Sequence, residues 1–394
     1  MMLNGPFSPW PSFTEEEADA VSRVLLGNEV NYWTGQVGRE FEREFARVVG
    51  TGHAIAVANG TLALDLALKG LGIGEGQGDE VIVTSRTFLA SVSSIVTAGA
   101  VPVFADVDRD SQNITAATVA GRITPRTRAI LAVHLAGWPC EMDGLMALAE
   151  RHGLAIIEDC AQAHGARYQG RSVGSIGHVG CWSFCQDKIM TTGGEGGMVT
   201  TSDRGLWQRM WAYKDHGKSW EAVHEREHPP GFRWLHESFG TNWRLTEMQS
   251  AIGRIQLSRL PTWAAARRAH AERIWETAAG CPGLRAPAIP AHIEHAAYKC
   301  YVFVEPERLA PGWHRDRIMT AIVERGVPCF SGSCSEVYRE AAFDGTGWRP
   351  SEPLPVAREL GETSLMFLCH PTLTGAEVDK TCQVLSDVMA EARA

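Results

Sequence analysis

Residues 180–203 read GCWSFCQDKIMTTGGEGGMVTTSD. A buried-looking run, Val179 to Phe184, leads to a single lysine, Lys188, and then to a turn carrying Gly193, Gly194, Gly196 and Gly197. A backbone this rich in glycine takes conformations that no side chain would allow, so Lys188 is held between fixed elements. One reading is an ordinary surface lysine beside a tight turn. The other is a desolvated amine of lowered pKa, able to attack a carbonyl as Schiff-base lysines do.

A second stretch, LAIIEDCAQAHGA from Leu154 to Ala166, gives the lysine its context. The apolar run after Gly153 reads as a buried strand ending in Glu158-Asp159. A carboxylate at the C-terminal end of a parallel strand sits where open α/β sheets bind ligands. Pyridoxal phosphate requires such an acid against its ring nitrogen, because the protonated ring is the electron sink. Asp159 and Lys188 are therefore candidates for opposite sides of one cofactor, with a helix N-cap as the competing reading of Asp159.

Outward from this pair the chain alternates strand and helix. HAIAVAN precedes GTLALDLALKGLG, EVIVTS precedes TFLASVSSIVTAG, VPVFADV follows, and TRAILAVHL precedes EMDGLMALAERHG and LAIIED. Short strands alternating with helices predict an α/β fold, a mainly parallel sheet covered on both faces, with ligands at the strand C-termini. Before it, residues 14–26 predict an amphipathic helix capped by Thr14 and Glu17, and Val37, Phe41 and Phe45 a second one. After Asp203 a helix leads into a long irregular segment whose Trp, His and Pro content suits a functional loop. Residues 246–279 predict one or two long helices interrupted at Pro261, bridging to a smaller C-terminal α/β domain of strand, helix, irregular stretch and final helix. The expected division is a large domain over 1–260, including the N-terminal helices, and a small one over 261–394.

Composition narrows the class. A chain of 394 residues exceeds one compact core. With 44% hydrophobic and 21% charged residues it is an ordinary globular protein, and a net charge of −9 without a basic cluster argues against nucleic acid as a partner. The start, MMLNGPFSPWPSF, lacks a basic n-region and an apolar h-region, and no apolar run is long enough to span a membrane, so cytoplasm is the expected location. The ten cysteines are scattered without a CxxC pair, which indicates neither a zinc site nor a disulfide framework.

SFCQDKIMTTGGEGG, EDCAQAHGA and GTNWRLTEMQSAIGRIQL together resemble the DegT/DnrJ/EryC1/StrS family of sugar aminotransferases, and the resemblance runs from the WTG of residues 33–35 to the HPTLT of residues 370–374. It implies the type I fold of pyridoxal-phosphate-dependent transferases, that of aspartate aminotransferase. Asn59-Gly60-Thr61 opens a helix at a strand end, where backbone N–H groups can hold an anion. The resemblance assigns Gly60 and Thr61 to the cofactor phosphate, with the Ser183 hydroxyl. By the same resemblance Phe88 stacks on the pyridine ring and Gln162 contacts its 3-hydroxyl side. The resemblance also has Asn242 reach the cofactor phosphate of the neighbouring subunit, which implies a homodimer with shared sites. It places the loop Tyr32, Trp33, Thr34 near the sugar, and His370 is grouped with that loop as a candidate substrate contact. His134 and His164 fall near strand ends as either structural or functional histidines.

The implied reaction is transamination from L-glutamate to a nucleotide-linked keto-sugar. SFCQDKIMTTGGEGG and SGSCSEVY look closest to enzymes making dTDP-4-amino-4,6-dideoxyglucose from the dTDP-4-keto-6-deoxy sugar, although Cys185-Gln186 before the Asp-Lys pair departs from the commoner His or small residue. Other acceptors left open are 3-keto, UDP- or GDP-linked sugars and cyclitols, the last with glutamine as donor. A nicotinamide oxidoreductase is disfavoured because GGEGG lacks GxGxxG spacing after a strand. A non-catalytic protein on the same fold would tolerate loss of Lys188 or Asp159, and both are present.

Overall fold

The computed structural model describes residues 6–393. Two helices lead the chain, α1 (Glu15–Leu26) and α2 (Val37–Val49). The Thr14–Glu17 capping box starts α1 as its sequence predicts, and α2 turns Phe41, Phe45 and Val49 into the core.

The main domain follows as β1 (His53–Val57), α3 (Gly60–Gly70), β2 (Glu80–Thr84), α4 (Ala90–Thr97), β3 (Val101–Ala105), α5 (Ala116–Ala120), β4 (Thr127–Val133), α6 (Met142–His152) and β5 (Ala155–Asp159). Next come the two-residue strands β6 (Arg167–Tyr168) and β7 (Arg171–Ser172), then β8 (Val179–Ser183) and β9 (Gly197–Thr201). Seven of these strands form one sheet in the order β1-β9-β8-β5-β4-β2-β3. From β8 to β3 all neighbours run parallel, while β9 is antiparallel to both β8 and β1. The C-terminal ends of β1, β2, β4, β5 and β8 consequently share one edge. Every residue of β2, β8 and β9 is buried, as expected of strands covered by helices on both faces.

Helices α7 (Arg204–Lys214), α8 (Trp220–His224) and α9 (Glu247–Ala279) come next, α8 falling inside the segment expected to be irregular. Pro261 does not interrupt α9, which continues through it for 33 residues. Pro261 is exposed, and its missing N–H costs the helix the one bond to the Leu257 carbonyl. The boundary expected at residue 260 thus falls inside one rigid element.

Beyond α9 lie β10 (Leu284–Arg285), β11 (Ile293–Glu294), β12 (Cys300–Val304), α10 (Arg315–Glu324), β13 (Cys329–Phe330), α11 (Pro355–Thr363), β14 (Ser364–Phe367) and α12 (Gly375–Ala392). Strands β10-β12-β14-β13 make an antiparallel sheet whose core is shared with α10, α12 and the end of α9. The chain is also pinned back across the two lobes. β11 pairs with β6, and the main-chain N–H groups of Val356 and Ala357 donate to Asp106 at 3.0 and 2.9 Å. Thr372 Oγ1 donates to the Pro9 carbonyl at 2.7 Å, tying the N-terminal segment to the C-terminal lobe. Among the described residues no helix is long and apolar enough to cross a membrane.

Candidate active site

At the shared strand edge lies a cavity of about 710 Å³. Its wall includes Gly60 and Thr61 after β1, Phe88 after β2, Asp159 at the end of β5, Gln162 just beyond it, Ser183 at the end of β8, and Lys188. Seven residues that the sequence assigns to one cofactor therefore face one space.

The anion end is built by α3. Asn59 caps the helix, its Oδ1 accepting from the Leu62 N–H at 2.9 Å, which leaves the first-turn N–H groups of Gly60 and Thr61 pointing outward. Glycine is required at position 60, since a Cβ there would come within 2.5 Å of the Ser183 Cβ. The same close approach brings the Ser183 hydroxyl to the helix N-terminus. Gly197 serves the same turn from β9, where a Cβ would meet the Asn59 carbonyl oxygen at 2.3 Å.

The acid end is built by β5, whose side chains alternate between the two faces of the sheet. Glu158 is spent on structure: it accepts from the backbone N–H groups of Gly174, Ile176 and Gly177 at 2.8, 2.8 and 2.6 Å. His134 Nε2 is a further partner at 3.0 Å, and its Nδ1 accepts from the Cys140 N–H, so the proton sits on Nε2. Burial raises the Glu158 pKa, but His134 and these N–H donors outweigh it and hold the carboxylate below its usual range. Asp159 faces the cavity with fewer partners. Its Oδ2 accepts from Ser91 Oγ at 2.8 Å and its Oδ1 from the Ala161 N–H at 3.1 Å. Burial dominates there and raises its pKa, a cost that a protonated ring nitrogen would offset.

Lys188 Nζ lies 3.3 Å from Asp187 Oδ1 and 5.4 Å from the centre of the Tyr298 ring. The Tyr298 hydroxyl donates to the other oxygen of Asp187. Burial works against ionised Asp187, yet Lys188 and Tyr298 together keep its pKa low. The Lys188 main chain is clamped separately, its carbonyl accepting from Trp10 Nε1 at 2.8 Å. Phe88 is 72% exposed at the cavity wall, leaving a ring face open to a flat partner. The Gln162 Oε1 accepts from the Ala136 N–H at 2.8 Å, which fixes its amide.

The residues present fit pyridoxal phosphate: a helix N-terminus with a close hydroxyl for the phosphate, a buried and underpartnered carboxylate for the ring nitrogen, and a lysine for the aldehyde. The profile of the DegT/DnrJ/EryC1/StrS aminotransferase family matches residues 11–386. The chain belongs to that family. It is 34% identical to UDP-N-acetyl-3-dehydro-α-D-glucosamine 3-aminotransferase of Acidithiobacillus ferrooxidans over 383 residues, 97% of this chain and 95% of that one. It is 37% identical to dTDP-3-amino-3,4,6-trideoxy-α-D-glucose transaminase of Streptomyces venezuelae over 354 residues, 90% and 87% of the two chains. The crystal structure of an aminotransferase from Psychrobacter cryohalolentis superposes with a TM-score of 0.96 at 62% identity, covering 98% and 99%. This family member is a pyridoxal-phosphate-dependent aminotransferase.

Other expected contacts lie elsewhere. Tyr32 is not in the cavity wall: it is 3% exposed, its hydroxyl donating to Glu42 Oε2 at 3.1 Å and accepting from Trp211 Nε1 at 3.2 Å, with Lys214 Nζ 3.9 Å over its ring. Trp33 donates to Asp215 at 2.8 Å, and Thr34 is exposed away from the cavity. Glu42 and Lys214 are both buried beside this aromatic loop, whose Tyr32 ring covers the Lys214 amine. Asn242 is exposed, bridged to Asp215 and outside the cavity wall of this chain. His370 lines an adjacent cavity, stacked 6.1 Å from Trp10. His134 is structural, and buried His164 packs against Trp182 and Phe184. Sequence reasoning did not find Ser91, Asp187, Tyr298, Lys299 or Trp10 as site residues. Asp187 sits inside SFCQDKIMTTGGEGG but only as the neighbour of Lys188, and the other four belong to no spaced motif and come from chain segments far from Lys188.

Proposed function

We propose that this aminotransferase moves the amino group of L-glutamate to a nucleotide-linked keto-sugar, with dTDP-4-keto-6-deoxy-D-glucose as acceptor and dTDP-4-amino-4,6-dideoxy-D-glucose as product. The observation that carries the reading is the single cavity faced by Lys188, Asp159 and the N-terminus of α3. Pyridoxal phosphate supplies the electron sink when bound. Lys188 would hold the cofactor by its Nζ and would serve as the base that takes the proton from the donor α-carbon and the acid that gives it back. Asp159 would keep the ring nitrogen protonated, and Ser91 and the Ala161 N–H hold that carboxylate in place. Gly60, Thr61 and Ser183 would anchor the phosphate. Phe88 would pack against the ring and Gln162 would border its 3-hydroxyl side.

The 4-keto acceptor is supported by the likeness of SFCQDKIMTTGGEGG and SGSCSEVY to viosamine-type enzymes. A second reading, a 3-keto or UDP-linked acceptor, is favoured by the names of the two relatives, each of which places its amine at carbon 3. Turnover of the purified protein with glutamate and a panel of keto-sugar nucleotides, with the aminated carbon located by mass spectrometry and NMR, decides between them. Amination of acyclic keto acids alone would refute both. A homodimer belongs to the same proposal, with Asn242 of each chain reaching the partner's cofactor. Light scattering reads the mass, and Asn242→Ala should weaken cofactor binding only if the sites are shared.

A further inference from the structure

Beside the cofactor cavity lies a second one of about 300 Å³, and Asp187, Tyr298 and Lys299 line both. Arg267 of α9 lines the second cavity and is 2% exposed. Its Nε and Nη2 have no hydrogen-bond partner among the described residues, and its Nη1 reaches only the Tyr298 carbonyl, at 3.5 Å. The Trp10 ring lies 4.9 Å from the guanidinium carbon and covers its face. A buried cation with unfilled donors is costly unless an anion completes it.

The described residues around it do not supply that anion. Among them Asp187 is the one carboxylate lining the cavity, and it is already engaged by Lys188 and Tyr298. Lys299 makes no ion pair among the described residues, and its Nζ stands 4.9 Å from the Tyr298 ring centre. Burial, then Arg267 and Lys299, push the His370 imidazole down to about 4. Burial likewise lowers the Lys299 ammonium, with Arg267 and Lys188 adding to the effect and Asp187 opposing it. Two cationic side chains, Arg267 and Lys299, thus line one small space.

We infer that this cavity is the carboxylate subsite of the amino donor, where Arg267 and Lys299 hold a carboxylate of glutamate while its amine faces Lys188. A planar guanidinium offers two parallel N–H donors that match a carboxylate. The volume, at the low end of the range for small-molecule sites, suits an amino acid rather than a nucleoside diphosphate. Because both cavities share Tyr298 and Lys299, a donor anchored by its carboxylate would enter beside Lys188 from one side and leave the rest of the larger cavity to the sugar.

The inference rests on glutamate being the donor, and its test does not need turnover. Glutarate, a dicarboxylate with no amine to transfer, is titrated calorimetrically into the cofactor-loaded enzyme, then into Arg267→Gln, Arg267→Lys and Lys299→Met proteins. Melting curves confirm that each variant is folded. Saturable binding is expected for the native protein, at least tenfold weaker in Arg267→Gln and in Lys299→Met, with partial recovery in Arg267→Lys. Binding of dTDP to the same proteins should change less than twofold. Equal glutarate affinity across folded variants, no glutarate binding to the native protein, or a loss that falls on dTDP instead would each overturn the subsite. A native enzyme that binds glutarate at Arg267 yet aminates no keto-sugar from glutamate would instead refute the proposed function and leave the subsite standing.

Discussion

Along β5 consecutive side chains leave opposite faces of the sheet, and Glu158 and Asp159 divide accordingly. Glu158 satisfies three loop N–H groups and His134, so Glu158→Ala would strand four buried donors. The expected loss is about 3–5 kcal/mol in urea unfolding. Asp159 has a raised folded pKa, so ionising it costs the cofactor-free fold stability. That penalty is absent below the ordinary carboxylate range, grows as pH rises through it, and is full above the raised folded value. Relative to the native protein, cofactor-free Asp159→Asn should therefore gain in melting temperature as pH rises above about 4, while losing most of its stabilisation by added pyridoxal phosphate. Melts of both proteins with and without cofactor read this directly. Lys188→Ala should lower transamination by at least about 10²–10⁴-fold and abolish the visible absorption of lysine-bound cofactor. Lys188 and Asp159 were legible in the sequence because each ends or follows a recognisable run. The division of labour inside Glu158-Asp159 was not, since it depends on which face of the sheet meets the 174–177 loop.

Two elements without a charged side chain between them converge at the end of the cavity proposed to hold the cofactor phosphate: the first turn of α3 and the last residue of β8. Their approach is set by the missing side chain at residue 60. Gly60→Ala would force these backbones apart at a cost of about 1–3 kcal/mol, and cofactor affinity should fall at least tenfold by fluorescence titration. The strands and helices of the main sheet were readable from period and spacing, and so was the opening of α3. The reading of α9 failed at Pro261 because one missing bond does not break a helix whose residues on both sides, Leu257, Leu260 and Ala264, are buried against the core. Strands β10, β13 and β14 were unreadable for another reason: runs of two to four residues carry too little periodicity, and their register comes from pairing with β12.

Across the whole molecule, buried histidines set an acid limit. Burial pushes His164 and His295 each down to about 3, so both stay neutral in the fold while the unfolded chain takes up protons below about pH 6.5. Stability from these two groups is complete above that pH and is lost progressively toward pH 3. His164→Met should flatten the fall of melting temperature across that window while changing little at pH 8. Holding the protein together at neutral pH are ties between distant parts of the chain, and one of them ends on the catalytic segment. Residues 8–10 bond to Glu377, Thr372 and the Lys188 carbonyl, bridging the far lobe and the reactive amine. A preparation nicked by a protease near Pro11 would keep nearly all of its mass and its sheet, yet its lysine would lose an anchor. Such clipping would show first as slowed turnover, so the integrity of the leading dozen residues is a quality check for any kinetic comparison.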